Sequence, residues 1–103
     1  METLEITRLE GERGFRLAGE LDVLSAPRLI EAFADAPEDG ANGQARVDLS
    51  GLTFMDSSGL HALVEIAQSQ NGHGPLILEG ASPIVMRLFE ITDLASHPKL
   101  EIR

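Results

Sequence analysis

The sequence predicts an α/β fold, a mainly parallel sheet entered through an N-terminal hairpin. Three observations predict it. Two short alternating runs flank a glycine-containing turn near the N-terminus. Two segments then open on Ser-x-Pro or Ser-Pro and continue with apolar residues at helical spacing. Between and after them lie short apolar strands, and strands alternating with helices imply parallel pairing with right-handed crossovers.

The elements follow in order. Leu4 and Ile6 alternate with Thr3, Glu5 and Thr7; Glu10-Gly11-Glu12 turns; Phe15 and Leu17 then alternate with Gly14, Arg16 and Ala18. Gly19 is expected to end this second strand. Ser25 is placed as the N-cap of the first helix, with Pro27 in its first turn, where a missing N–H costs little. Ala26, Leu29, Ile30 and Phe33 form its apolar stripe, and the helix is expected to stop before Pro37. Residues 38–43 read as a loop, too short to separate two domains.

Ala45 to Leu49 is expected as a short strand, followed by a turn at Ser50-Gly51. Leu52-Thr53-Phe54-Met55 leads into a helix opened by Asp56-Ser57-Ser58-Gly59, with Leu60, Leu63, Val64 and Ala67 facing the core and Asn71-Gly72-His73-Gly74 closing it. Leu76, Ile77 and Leu78 form a continuous apolar run, as in a strand covered on more than one side. Ser82-Pro83 starts a third helix with Ile84, Val85, Leu88 and Phe89 as its buried stripe and Ile91 extending it; Lys99 to Ile102 alternates as a terminal strand. The order is β-β-α-β-α-β-α-β, in one domain covering residues 1–103.

Composition narrows the function classes. Seventeen acidic against eight basic residues give a net charge of −9, and Lys99 is the only lysine. Such a surface repels phosphate backbones and anionic lipid, so direct nucleic-acid and membrane docking are disfavoured. With no Trp or Tyr and four Phe, there is little aromatic surface for stacking bases. Absence of cysteine excludes disulfides and thiolate chemistry. The N-terminus carries no basic n-region or apolar h-region, and no apolar run approaches the ~20 residues of a membrane span, so a cytoplasmic location is expected. A monomer is the default expectation.

Catalytic constellations are weak. Ser57, His61 and Glu65 fall at i, i+4 and i+8, which supplies the residue types of a nucleophile triad on one helix stripe. A triad needs its base and orienting acid aimed from supporting elements, and residues 55–59 lack the Gly-x-Ser-x-Gly elbow. His61, His73 and His97 have no ligand-spaced partners, and residues 40–43 are not followed by the Lys of a phosphate loop. No catalytic residue, metal site or cofactor is expected. The strand–Asp56-Ser57-Ser58-Gly59–helix junction is the strongest local feature. Helix N-termini tolerate an anion, and a phosphate there would add about −1.5 to −2 charges. By spacing alone, Asp56 or Ser57 reads first as a helix cap, since Asp and Ser are the commonest caps.

Gly19-Glu20-Leu21-Asp22, the stretch from Leu52 to Leu60 and the stretch from Ser82 to Phe89 together closely resemble the STAS domain family, and more narrowly the bacterial anti-sigma factor antagonists. The resemblance covers essentially the whole chain. It implies helices chiefly on one face of the sheet and a partner switch. The unphosphorylated protein would bind an anti-sigma factor that is also a serine kinase; phosphorylation at Ser57 would end binding, and a PP2C-type phosphatase would restore it. The antagonist itself would catalyse nothing. It further implies Asp22 as the acidic docking residue after the second strand, with Asp56, Ser58 and Gly59 as motif neighbours in partner binding. His61 and Thr92-Asp93-Leu94 depart from the family pattern. STAS domains also occur as subunits of lipid-transport ABC systems, in stress-signalling complexes and as nucleotide-responsive modules, which is the alternative role.

Overall fold

The computed structural model describes residues 4–35, 44–70 and 74–103. Five strands, β1 (Leu4–Arg8), β2 (Gly14–Leu21), β3 (Arg46–Met55), β4 (Leu76–Glu79) and β5 (Leu100–Ile102), form one sheet in sequence order. β1 pairs antiparallel to β2, and the remaining pairs are parallel. Helices α1 (Ala26–Asp35), α2 (Ser57–Gln68) and α3 (Pro83–Ile91) make the crossovers, and a single 3-10 turn, Leu94–Ser96, precedes β5. When a parallel sheet grows steadily in one direction through right-handed crossovers, every helix falls on the same face.

Burial follows that geometry. Leu4, Phe15, Leu17, Leu21, Val47, Leu49, Leu76 and Leu78 join Leu29, Leu63, Ile66, Val85 and Phe89 in one core. Phe15 and Phe33 of α1 pack in a T-shaped pair at a centroid distance of 4.9 Å. The opposite face is polar: Arg16 pairs with Asp48 at 3.0 Å and Arg46 with Glu79 at 3.1 Å. Ile77 is buried but lies outside that core, consistent with its alternation against Leu76 and Leu78.

The structure corrects several sequence expectations. β2 does not end at Gly19: Glu20 and Leu21 continue the pairing, opposite Phe54 and Met55, and Leu21 is fully buried. Cross-strand hydrogen bonds and burial outweigh the local glycine signal. Nor do Ser50 and Gly51 turn; they lie inside the single strand β3. Between Arg16 and Ala18, and again between Gly19 and Glu20, β3 carries one more residue than β2, the count of a β-bulge. At the first bulge a Cβ on Gly51 would stand 2.8 Å from the Leu17 carbonyl oxygen, so the glycine permits close strand approach rather than reversal.

In α2, Ala62 and Ile66 are buried beside the expected Leu60, Leu63 and Ala67, while Val64 is half-buried. In α3, Val85 and Phe89 are buried, but Ile84 and Ile91 are 71% and 69% exposed, on the outer side of the helix. The helix stop at Pro37, the loop over 38–43 and His73 lie outside the described residues.

Candidate functional site

The C-terminal ends of β2 and β3 meet the start of α2 at one rim of the sheet. The Asp56 amide donates to the Leu21 carbonyl at 3.2 Å, which fixes the beginning of α2 against the end of β2. Asp56 has extended backbone, and its Oδ1 accepts the Ser58 and Gly59 amides at 2.9 and 3.2 Å. It is the N-cap of α2, satisfying two of the helix's otherwise unpartnered donors.

With Asp56 capping, Ser57 becomes the first helical residue. Its side chain is exposed, and among the described residues no hydrogen bond engages its hydroxyl. Ser58 is half-buried. Gly59 is buried: a Cβ there would meet Met55 Cγ at 2.8 Å and the Leu21 carbonyl oxygen at 2.9 Å. Its part in the rim is the spacing between α2 and β2.

Asp22 follows Leu21 directly and organises the loop into α1. Its Oδ1 accepts the Leu24 amide at 3.1 Å, the Ser25 amide at 3.0 Å and the Ser25 hydroxyl at 3.1 Å. The Ser25 oxygen in turn accepts the Asp22 amide at 2.9 Å, and its single hydroxyl proton is shared between Asp22 Oδ1 and the Glu20 carbonyl, 2.9 Å away. The Ser25 amide, foremost, holds the Asp22 carboxyl below the usual carboxylate range; desolvation opposes this, and the Ser25 hydroxyl and Leu24 amide reinforce it. Ser25 therefore does not cap α1 with its side chain, as its sequence position suggested. Its backbone carbonyl accepts the Arg28 amide at 3.0 Å, while its hydroxyl turns back into the loop.

The fold thus brings Asp22, Asp56, Ser57, Ser58 and Gly59 to the same end of the sheet. Sequence reasoning missed three exposed apolar side chains there, Val23, Leu24 and Phe54. The signal was present: Val23-Leu24 is an apolar pair outside both the β2 alternation and the α1 stripe. Ser57, His61 and Glu65 are exposed along α2, and among the described residues no hydrogen bond links them. A cavity of about 370 Å³ lies at the other end of α2, lined in part by Phe33, Glu65 and Gln70. Among the described residues no group of three His, Cys, Asp or Glu could hold a metal ion, and no helix is long and apolar enough to cross a membrane.

A sheet in sequence order with helices on one face, presenting an acidic rim tipped with apolar side chains, defines a one-sided α/β domain. A family model described as "Mlab, STAS domain" matches residues 6–101, and the chain belongs to the STAS domain family. It is 36% identical over 94 residues to an anti-sigma-B factor antagonist of Bacillus subtilis (strain 168), covering 88% of this chain and 83% of the relative. It is likewise 36% identical over 80 residues to the protein of that name from Staphylococcus aureus (strain NCTC 8325 / PS 47), covering 77% and 73%. Among solved structures, the anti-sigma factor antagonist SpoIIAA in its unphosphorylated form superposes with a TM-score of 0.71 at 25% identity, covering 97% of this chain and 87% of that one. An anti-sigma factor antagonist from Mycobacterium paratuberculosis gives a TM-score of 0.73 at 24% identity, covering 95% and 83%, a likeness of fold alone.

Proposed function

We propose that the chain is an anti-sigma factor antagonist: unphosphorylated, it binds an anti-sigma factor that is also a serine kinase, and phosphorylation at Ser57 ends that binding. A PP2C-type phosphatase would reset it, and the chain would work by docking rather than by catalysis. The observation that carries the reading is the state of Ser57. It is exposed at the first position of α2, with no hydrogen bond to its hydroxyl among the described residues, while the neighbouring Ser58 is half-buried. The relatives named anti-sigma-B factor antagonist support the docking role.

The electrostatics support a switch that leaves the fold standing. Asp56 already occupies the Ser58 and Gly59 amides. A phosphate on Ser57 would add its charge beside that carboxylate, on a rim that already holds Glu20 and Asp22. An exposed group needs no core rearrangement, so the change falls on whatever docks there.

Incubation with ATP and purified anti-sigma serine kinases from the organism that encodes the chain, followed by peptide mass spectrometry, tests the assignment. A phosphate confined to Ser57 is the expected product. Phosphate on Ser58 alone would contradict it, and equal binding of Ser57→Ala and Ser57→Asp to the kinase would favour a STAS subunit of another assembly.

A further inference from the structure

A phosphate on Ser57 would set about −1.5 to −2 charges among carboxylates. Asp56 precedes it, Glu20 and Asp22 share its rim, and residues 19–24 and 53–61 contain no Lys or Arg. Two of the first-turn amides that could receive a phosphate, those of Ser58 and Gly59, already donate to Asp56 Oδ1. In those segments His61 is the one side chain that can carry a positive charge.

His61 follows Ser57 by four residues in α2, which runs unbroken from Ser57 to Gln68, and both side chains are exposed. Residues so spaced lie one above the other on a helix, with Cβ atoms about 5–6 Å apart. The short serine side chain does not span that gap. A phosphate carries its three acceptor oxygens beyond the hydroxyl position, toward the imidazole.

The surrounding charges favour a cation at position 61. Asp56 and Glu65 lie on the same helix, and Glu20 and Asp22 lie on the rim. The charges of β3, Arg46 and Asp48, are on the other face of the sheet. α1, packed beside α2, carries Glu31, Asp35 and Arg28, and Arg28 is turned toward β1, where Nη1 donates to the Leu4 carbonyl at 2.9 Å. On α3, Arg87 and Glu90 are exposed. Arg87 follows the start of its helix by four residues, as His61 does, and is the rival cation.

We propose that His61 is the internal counter-charge of the phosphorylated form, its imidazolium pairing with the phosphate on Ser57 along the outer stripe of α2. This rests on the reading of Ser57 as the phosphoacceptor. The pair is complete while the imidazole holds its proton and the phosphate has lost its second. Imidazoles and phosphomonoesters titrate near pH 6–6.5, so the phosphorylated state is linked to pH through His61. Above that range the imidazole is neutral, and the phosphate stands uncompensated among the carboxylates.

The test uses the full chain with phosphoserine inserted at position 57 during translation, so that no kinase is needed. Phosphorus NMR then follows the second ionisation of the phosphate, ordinarily near about pH 6. A nearby cation stabilises the dianion and moves that ionisation to lower pH. The midpoint in the His61→Gln chain is expected about 0.2–0.4 of a pH unit above that of wild type, the size of an exposed pair four residues apart on a helix. His61→Lys supplies a fixed cation at the same place and should return the midpoint to the wild-type value or below it, which a merely structural role would not do. Arg87→Gln should leave it unchanged. Equal midpoints in wild type and His61→Gln, no rescue by His61→Lys, or a rise on Arg87→Gln in place of His61→Gln would each overturn the inference and leave Ser57 standing as the acceptor. Failure of the anti-sigma kinases to phosphorylate Ser57 is read in a separate reaction; it would overturn the antagonist reading without altering these midpoints, so the two failures are told apart.

Discussion

The Asp56 amide and the Leu21 carbonyl, 3.2 Å apart, join the helix that begins at Ser57 to the strand that ends beside Asp22. Every residue assigned to the rim lies within a few positions of one of these two groups. Gly59 keeps them close, because any side chain at 59 would enter the space held by Leu21 and Met55. The rim therefore depends on a packing contact beneath it as well as on the groups at its surface.

Gly59→Ala is the direct probe of that contact. Alanine favours a helix interior over glycine by roughly 1 kcal/mol. Here the added methyl would sit 2.9 Å from a backbone carbonyl oxygen, which cannot rotate aside. Overpacking of this kind costs about 1–3 kcal/mol, so net destabilisation is expected. A fall in the urea midpoint at unchanged m-value would show it; a rise would mean that α2 shifts freely on β2.

Asp93 offers the opposite case. It follows Thr92, the C-cap of α3, in left-handed backbone at φ 63°, and it makes no side-chain hydrogen bond capping the 3-10 turn that begins at Leu94. A non-glycine residue there costs about 1–2 kcal/mol, against roughly 0.5–1 kcal/mol of extra unfolded-state entropy for glycine. Asp93→Gly should therefore stabilise the domain by about 0.5 kcal/mol in urea unfolding, with binding unchanged, since the site lies outside the rim. Loss of stability would show that the 3.4 Å contact between Ser96 Oγ and Asp93 Oδ1 outweighs the backbone strain.

Acid should loosen the fold through two identified carboxyls. Asp22 and Asp48 both titrate below their usual 3.8 in the folded chain. For Asp48, burial works against the shift and is outweighed by the Ser50 amide and hydroxyl and by Arg16. A lowered folded pKa contributes stability that is complete above the unfolded value and is lost as pH falls through the folded one. Urea stability should thus be level above about pH 5 and decline toward about pH 2. The Asp22→Asn, Asp48→Asn double variant should show a shallower decline, and an equal slope would assign the acid sensitivity to other carboxyls.

Much of this arrangement was legible in the sequence because its signals were local. The Ser82 cap with Pro83 behind it and the apolar run Leu76–Leu78 needed no tertiary information, and both stand in the structure. Gly19 and Gly51 misled for the converse reason: a glycine that permits close strand approach, as Gly51 does, or a positive φ at a bulge, as Gly19 does at 103°, looks in sequence like one that breaks a strand, and only the β2–β3 register separates them. Ser25 misled similarly, because a serine before a helix can turn its hydroxyl toward the helix or back into the loop. Here Asp22 and Glu20, brought within reach by the loop, take it. The outward Ile84 and Ile91 sit at helical spacing with the buried residues, and only the position of α3 on the sheet decides which side is covered.

The central claim is that a phosphate on Ser57 separates the chain from its partner. The most direct measurement is the dissociation constant for the anti-sigma kinase, by titration calorimetry, of the unphosphorylated chain and of chain stoichiometrically phosphorylated at Ser57. The account predicts at least about a 10- to 100-fold weakening on phosphorylation, from charge repulsion and desolvation at the rim. Equal dissociation constants for the two forms would contradict it.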